Sequence, residues 1–208
     1  MKHFNRNDVV VWIDSDLILT DASKTDVIGE ILADKAGFDF IIADQSDNLN
    51  TGIFIVRRTP WVHQFLDTVW RTGLHYRHDI LFCDQGVIYL IMLNYIADTF
   101  ANRTSGGYRY DNECAPERKP AKAIHYCTND VLARYGFTYN NRDNVGKICI
   151  LPQNQAKYRI NQWYFGPGVR PYSNWNDADY YREGDLGVHT KLPLDLLKNG
   201  SLVTGVQR

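Results

Sequence analysis

Val9-Val10-Val11-Trp12-Ile13-Asp14-Ser15-Asp16 runs from five apolar residues straight into two carboxylates. The apolar stretch has the length and β-branched content of a strand. With no polar residue alternating through it, it reads as a strand covered on both faces of an α/β sheet. The residues that follow then emerge at its C-terminal end, where open α/β sheets hold their ligands. Two carboxylates brought together there repel each other and lose hydration, which is costly unless something positive joins them. A divalent cation removes that cost, because Mg²⁺ or Mn²⁺ takes oxygen ligands and shares its sphere between one or two protein carboxylates and substrate phosphates. Asp14 and Asp16 are therefore candidate ligands of a metal-bridged nucleotide diphosphate. An Asp-x-Asp is short, and Ser15 and Asp16 equally suit a solvated turn, so the choice rests on the residues further along.

The 208 residues suit one domain with a sizeable core, and 44% hydrophobic with 23% charged residues is a globular composition. A net charge of −1 leaves no basic footprint for nucleic acid or an anionic membrane. Any phosphate chemistry then depends on a few local cations or a metal. Thirteen Tyr and five Trp supply amphipathic rings of the kind that stack on sugar C–H faces, and that equally fill ordinary cores.

Cys83, Cys114, Cys127 and Cys149 form no Cys-x-x-Cys pair, which argues against a zinc ribbon or a thioredoxin-like site. They fit two disulfides in an oxidising lumen or four free thiols in the cytosol. Asn102-Arg103-Thr104 and Asn199-Gly200-Ser201 would accept N-glycans in a secretory protein. No signal peptide is evident, and the longest apolar run, residues 87–93, is too short to span a bilayer. A membrane anchor, if the protein has one, is expected outside this sequence.

Beyond the first strand the pattern alternates. Residues 24–36 carry Val27, Ile28, Ile31 and Leu32 at helical spacing, with Gly37 as a stop. Residues 38–43 and 53–56 read as strands. Pro60 opens an amphipathic helix bearing Trp61, Phe65, Leu66, Val69 and Trp70, and residues 83–97 form a mostly apolar helix opened by Asp84 and Gln85. Residues 101–126, with Gly106-Gly107, Pro116 and Pro120, read as a long loop. Residues 148–151 are a strand ended by Pro152, and residues 158–181 an irregular aromatic segment. Residues 184–189 form a short strand delivering His189 to the same crevice, and residues 194–198 a closing helix.

Taken in order, Val11-Trp12-Ile13-Asp14-Ser15-Asp16, Leu49-Asn50-Thr51-Gly52-Ile53-Phe54-Ile55-Val56-Arg57 with Trp61 and Phe65-Leu66-Asp67, Asp84-Gln85 with Ile88-Tyr89-Leu90, Ile160-Asn161, and Glu183-Gly184-Asp185 with Val188-His189 form a series. In that series the chain resembles glycosyltransferase family 34, from the first strand to about Lys191. The family contains fungal α-1,2-galactosyltransferases and α-mannosyltransferases, and plant α-xylosyltransferases and galactomannan galactosyltransferases.

The resemblance implies an α/β GT-A fold, a mixed sheet flanked by helices, and a single domain over residues 1–208. It implies a Mn²⁺-dependent (or Mg²⁺-dependent) retaining transfer of a hexose or pentose from UDP-galactose, UDP-xylose or GDP-mannose to a glycan or glycoprotein acceptor. It also implies a Golgi-membrane enzyme with a lumenal catalytic domain, in possible complex with other glycosyltransferases. Asp14, Asp16 and His189 match the metal ligands. Asn50 and Gly52 match the segment lining the donor sugar, Asp84 and Gln85 the acidic-amide pair near the anomeric carbon, and Asp185 and Lys191 further substrate contacts, with Lys198 an alternative to Lys191. Front-face attack by the acceptor hydroxyl, with the leaving phosphate oxygen taking the proton, accounts for retention. Double displacement through Asp84 is the rival route.

Each assignment has a plainer rival: His189 as a strand-end histidine, Asp84 as a helix cap, and Gly52 as a turn residue of positive φ. About thirteen residues precede Asp14, whereas GT-A enzymes build the nucleotide-base pocket from an upstream βαβ unit. The expectation is an N-terminally incomplete GT-A-like fold of uncertain activity alone, with an apolar first strand left at an open edge. Two other classes compete. One is a non-catalytic glycan-binding or interaction module, suggested by the aromatic segment. The other is an aspartyl phosphatase using Asp14, which the lack of a downstream acidic pair disfavours.

Overall fold

The computed structural model describes residues 8–20, 27–45, 48–76, 85–88, 90–92, 147–151, 158–165, 170, 180–182 and 185–190. The expected 101–126 loop, the 194–198 helix, Asp84, Lys191, Lys198, both glycosylation tripeptides and Cys83, Cys114 and Cys127 lie outside them.

The fold is mixed α/β. Strands β1 (Val9–Ile13), β3 (Phe40–Gln45), β4 (Asn48–Arg57) and β5 (Ile148–Leu151) form one sheet in the order β1-β4-β3-β5. The β1–β4 and β3–β4 pairs are antiparallel and β3–β5 is parallel. A smaller sheet contains β2 (Leu17–Leu19), β7 (Gly187–Thr190) and β6 (Gln162–Tyr164), in the order β2-β7-β6. Helix α1 (Val27–Asp34) covers one face of the larger sheet and α2 (Pro60–Tyr76) the other.

Alternation along the strands sorts side chains between these layers. Ile41, Ala43, Ile53, Ile55, Cys149 and Leu151 join Ile31 of α1 in one buried cluster. On the opposite face an aromatic ladder runs Trp12–Phe54–Phe40–Phe65–Trp61, with successive ring centroids 5.8, 5.2, 5.0 and 5.3 Å apart, and fastens β1, β4 and β3 to α2. Burial pushes the Cys149 thiol up to about 11, so it remains neutral at physiological pH.

Caps fix both helices. Thr59 Oγ1 accepts the Val62 N–H (3.2 Å) and donates to Asp39 Oδ2 (3.1 Å), and Pro60 takes the first helical position. Arg57 at the end of β4 donates to the Leu32 and Phe38 carbonyls (2.8 and 3.0 Å), satisfying carbonyls where α1 ends.

Several expectations change. The first strand is not covered on both faces: among the described strands β1 is an edge, and Val10, Trp12 and Ile13 are exposed. An unbroken apolar run reports the residues but not the neighbours. Here Val9 and Val11 pack on the α1 cluster, while Trp12 spends its apolar surface on Phe54. Trp70, named among the apolar residues of the amphipathic helix, is exposed, and Val62, not named there, is buried. The irregular 158–181 segment contains a strand, β6, and β2 was not foreseen. Three-residue strands are too short to show alternation and are defined by their partners. Strands 38–43 and 53–56 shift or lengthen to β3 and β4, and β5 falls where expected.

Candidate metal centre

Asp14 and Asp16 sit on the tight turn that carries the chain from β1 in the larger sheet to β2 in the smaller. The Leu17 N–H donates to the Asp14 carbonyl at 3.1 Å, which places Ser15 and Asp16 at the two central positions of a β-turn and Asp14 at the position where aspartate is favoured. The turn is tied to both sheets. The Asp14 N–H donates to the Gly52 carbonyl (2.8 Å), and the Thr190 N–H reaches the Asp16 carbonyl (3.4 Å).

His189 comes from β7, where it pairs with Leu17 on one side and Trp163 on the other. Its side chain is 3% exposed, and its Nδ1 lies 3.2 Å from Asp16 Oδ1, whose side chain is 42% exposed. Asp14, Asp16 and His189 each offer a ligand atom, and those atoms lie within 4.8 Å of one another. Two carboxylates and one imidazole are a donor set suited to a divalent cation. The three expected ligands therefore converge and could hold a metal ion.

Gly52 borders the same imidazole. A Cβ at position 52 would overlap His189 Nε2 and Cε1 and come within 3.1 Å of Asn50 Oδ1. The backbone of Gly52 lies outside the left-handed region, so this glycine is required by the approach of the ring and not by positive φ. It lies where the β3–β4 ladder skips: Ile42 pairs with Phe54 but Ala43 with Asn50. Residues 51–53 are thus released from β3 and brought toward β1 and the turn. Asn50 is buried, and its Oδ1 accepts the Gly52 N–H at 2.9 Å, bracing the skip.

Asp185 occupies a different setting. Its carboxylate accepts Arg159 Nε and Nη2 at 2.6 and 2.8 Å and the Arg182 N–H at 2.7 Å, and both side chains of the ion pair are buried. Thr20 Oγ1 donates to its carbonyl, and Arg159 also donates to the Tyr180 carbonyl at 2.7 Å. Asp185 thus joins the segments entering β6 and β7 to the end of β2. Gln85 stands in the helical residues 85–88 and, among the described residues, makes no hydrogen bond to the three candidate ligands.

Three neighbours escaped sequence reasoning. Trp12 Nε1 donates to Asp14 Oδ1 at 2.7 Å. The Trp163 ring stacks on His189, with centroids 4.7 Å apart and planes inclined by 25°, and on Phe165 at 5.7 Å. Arg159 pairs with Asp185. The aromatic character of residues 158–181 was the available signal for Trp163, but it carried no direction.

Comparison with protein-family models, curated proteins and solved structures finds no match to this chain. Among the described residues no helix is long and apolar enough to cross a membrane.

Proposed function

We propose that this chain is a metal-dependent, retaining glycosyltransferase of the GT-A type, similar to glycosyltransferase family 34, that uses a nucleotide-sugar donor and a glycan acceptor. The observation that carries the reading is the meeting of Asp14, Asp16 and His189 at the seam of two sheets. Carboxylates two residues apart are common, but a buried imidazole brought to them from 173 residues further on by a separate strand is a specific arrangement.

The donor set fits Mn²⁺ or Mg²⁺. When bound, such an ion would neutralise the donor diphosphate and stabilise the charge left on it as the bond to the sugar breaks. The residues of the chain do the rest. Asp14 and Asp16 present oxygens from a turn tied to both sheets, and His189 offers an imidazole nitrogen from a buried strand. Gly52 lets the ring approach, and Asn50 holds Gly52 in place. In this reading Asp84 and Gln85 border the anomeric carbon: Gln85 presents an amide oxygen that does not titrate, and Asp84 bonds sugar hydroxyls. Retention follows from front-face attack, the acceptor proton passing to the leaving phosphate oxygen. The setting is the Golgi lumen. The aspartyl-phosphatase alternative is weaker because, among the described residues, Asp14 and Asp16 converge with an imidazole and with no second acidic pair.

The test is Mn²⁺-dependent binding of UDP and GDP, followed by turnover of UDP-galactose, UDP-xylose and GDP-mannose. Binding that requires Mn²⁺, with turnover abolished in Asp16→Ala, is the expected outcome. Absence of nucleotide binding at millimolar Mn²⁺ contradicts the proposal.

A further inference from the structure

We infer that Trp12 and Trp163 are positioning residues for the metal centre, each holding a different ligand. The inference rests on the cation reading of Asp14, Asp16 and His189, and extends it to two side chains that donate no ligand atom.

The two contacts differ in kind. Trp12 acts through a polar bond: its indole N–H donates to Asp14 Oδ1 at 2.7 Å, while its ring stacks on Phe54 with planes inclined by only 8°. A carboxylate at the start of an exposed turn rotates freely about its Cα–Cβ and Cβ–Cγ bonds unless something holds it. The stacked indole is anchored to β4 and has one donor to give. This also gives a reason for Trp12 being 50% exposed on an edge strand, where a smaller residue would leave less apolar surface in water.

Trp163 acts through a face. It lies beside His189 in the parallel β6–β7 register, and its ring lies against the imidazole. Gly52 approaches the same imidazole at Nε2 and Cε1, so the ring is confined by a backbone on one contact and an indole on another. Phe165, stacked on Trp163, supports the indole in turn. Side chains outside the ligand set that orient the ligands typically account for tenfold or more in metal affinity.

The experiment is a Mn²⁺ titration of the full 208-residue chain, reading free ion by its electron paramagnetic resonance signal, with melting in EDTA recorded in parallel. Trp12→Phe keeps a ring for Phe54 and removes the N–H. It is expected to weaken Mn²⁺ binding about tenfold while melting like the parent protein. Trp163→Ala is expected to weaken binding by a similar factor, and Trp163→Phe, which restores an aromatic face, to recover most of it. A purely structural role would change melting in EDTA and leave the affinity of the folded fraction alone. Should Trp163→Ala fail to fold, Trp12→Phe decides. Affinities within twofold of the parent in the folded variants overturn the inference while leaving the cation site standing. No Mn²⁺ binding by the parent chain removes the cation site and this inference together.

Discussion

At position 52 the side chain that is missing matters more than any that is present. The contact between Gly52 and the His189 ring leaves no room for a methyl group, and the nearest atoms belong to a ring that β7 and Trp163 hold in place. Relief would have to come from turning the imidazole away from Asp16. Gly52→Ala is accordingly expected to reduce Mn²⁺ affinity at least tenfold in calorimetric titration, a larger effect than an alanine at an ordinary strand glycine produces. Unchanged affinity would show that the ring and backbone separate more easily than their packing indicates. A glycine in Asn50-Thr51-Gly52 was legible as a singular position, but its reason was not. A turn of positive φ and a close backbone approach leave the same mark in a sequence, and only the partner, 137 residues away, tells them apart.

At the scale of elements, β7 is held by charge as well as by its ladder. The Arg159–Asp185 pair is buried, bidentate and reinforced by the Arg182 N–H, and it lies four residues before His189. Removing one partner of such a pair leaves a buried charge uncompensated, typically at a cost of about 3–5 kcal/mol. Asp185→Asn, which leaves Arg159 without its counter-charge, is predicted to lower unfolding free energy by about 3 kcal/mol in urea titrations. The same variant separates two roles for Asp185. Normal stability with lost nucleotide binding would assign its carboxylate to the substrate, as the family resemblance implies; lost stability assigns it to the scaffold. Elements with their own signal were readable: Pro60 announces α2, and Ile148-Cys149-Ile150-Leu151 announces β5. β2 and β6 were not, because three residues carry no period and their conformation is imposed by β7. β1 was readable as a strand, and its open edge was expected, but the run of apolar residues wrongly suggested cover on both faces, since cover is a property of partners.

At the scale of the whole molecule, the candidate centre lies on the seam between two sheets. Asp14 follows β1 and Gly52 belongs to β4 of the larger sheet, whereas His189 belongs to β7 of the smaller. The β-turn of residues 14–17 is a direct covalent crossing between the two sheets, and a cation bound to Asp14, Asp16 and His189 would add a non-covalent one beside it. This is why the candidate ligands could be named, Asp14 and Asp16 from the pattern after the strand and His189 through the family resemblance, while their supports could not. The Asp-x-Asp after an apolar run and the strand-borne histidine are local marks. Trp12, Trp163 and Arg159 acquire their roles from partners that only folding supplies: Phe54 for Trp12, the His189 ring for Trp163 and the Asp185 carboxylate for Arg159. The α/β character was likewise anticipated by the alternation of apolar runs and amphipathic segments, whereas a mixed sheet flanked by helices was expected only through the family resemblance.

Everything functional in this account depends on one ion joining three side chains, and anomalous diffraction at the manganese edge from crystals grown with Mn²⁺ examines that directly. The predicted result is a single strong peak on the turn between β1 and β2, about 2.1 Å from an oxygen of Asp14, an oxygen of Asp16 and a nitrogen of His189. A map without a peak there, with His189 Nδ1 still 3.2 Å from Asp16 Oδ1 as a plain histidine–carboxylate contact, would contradict it.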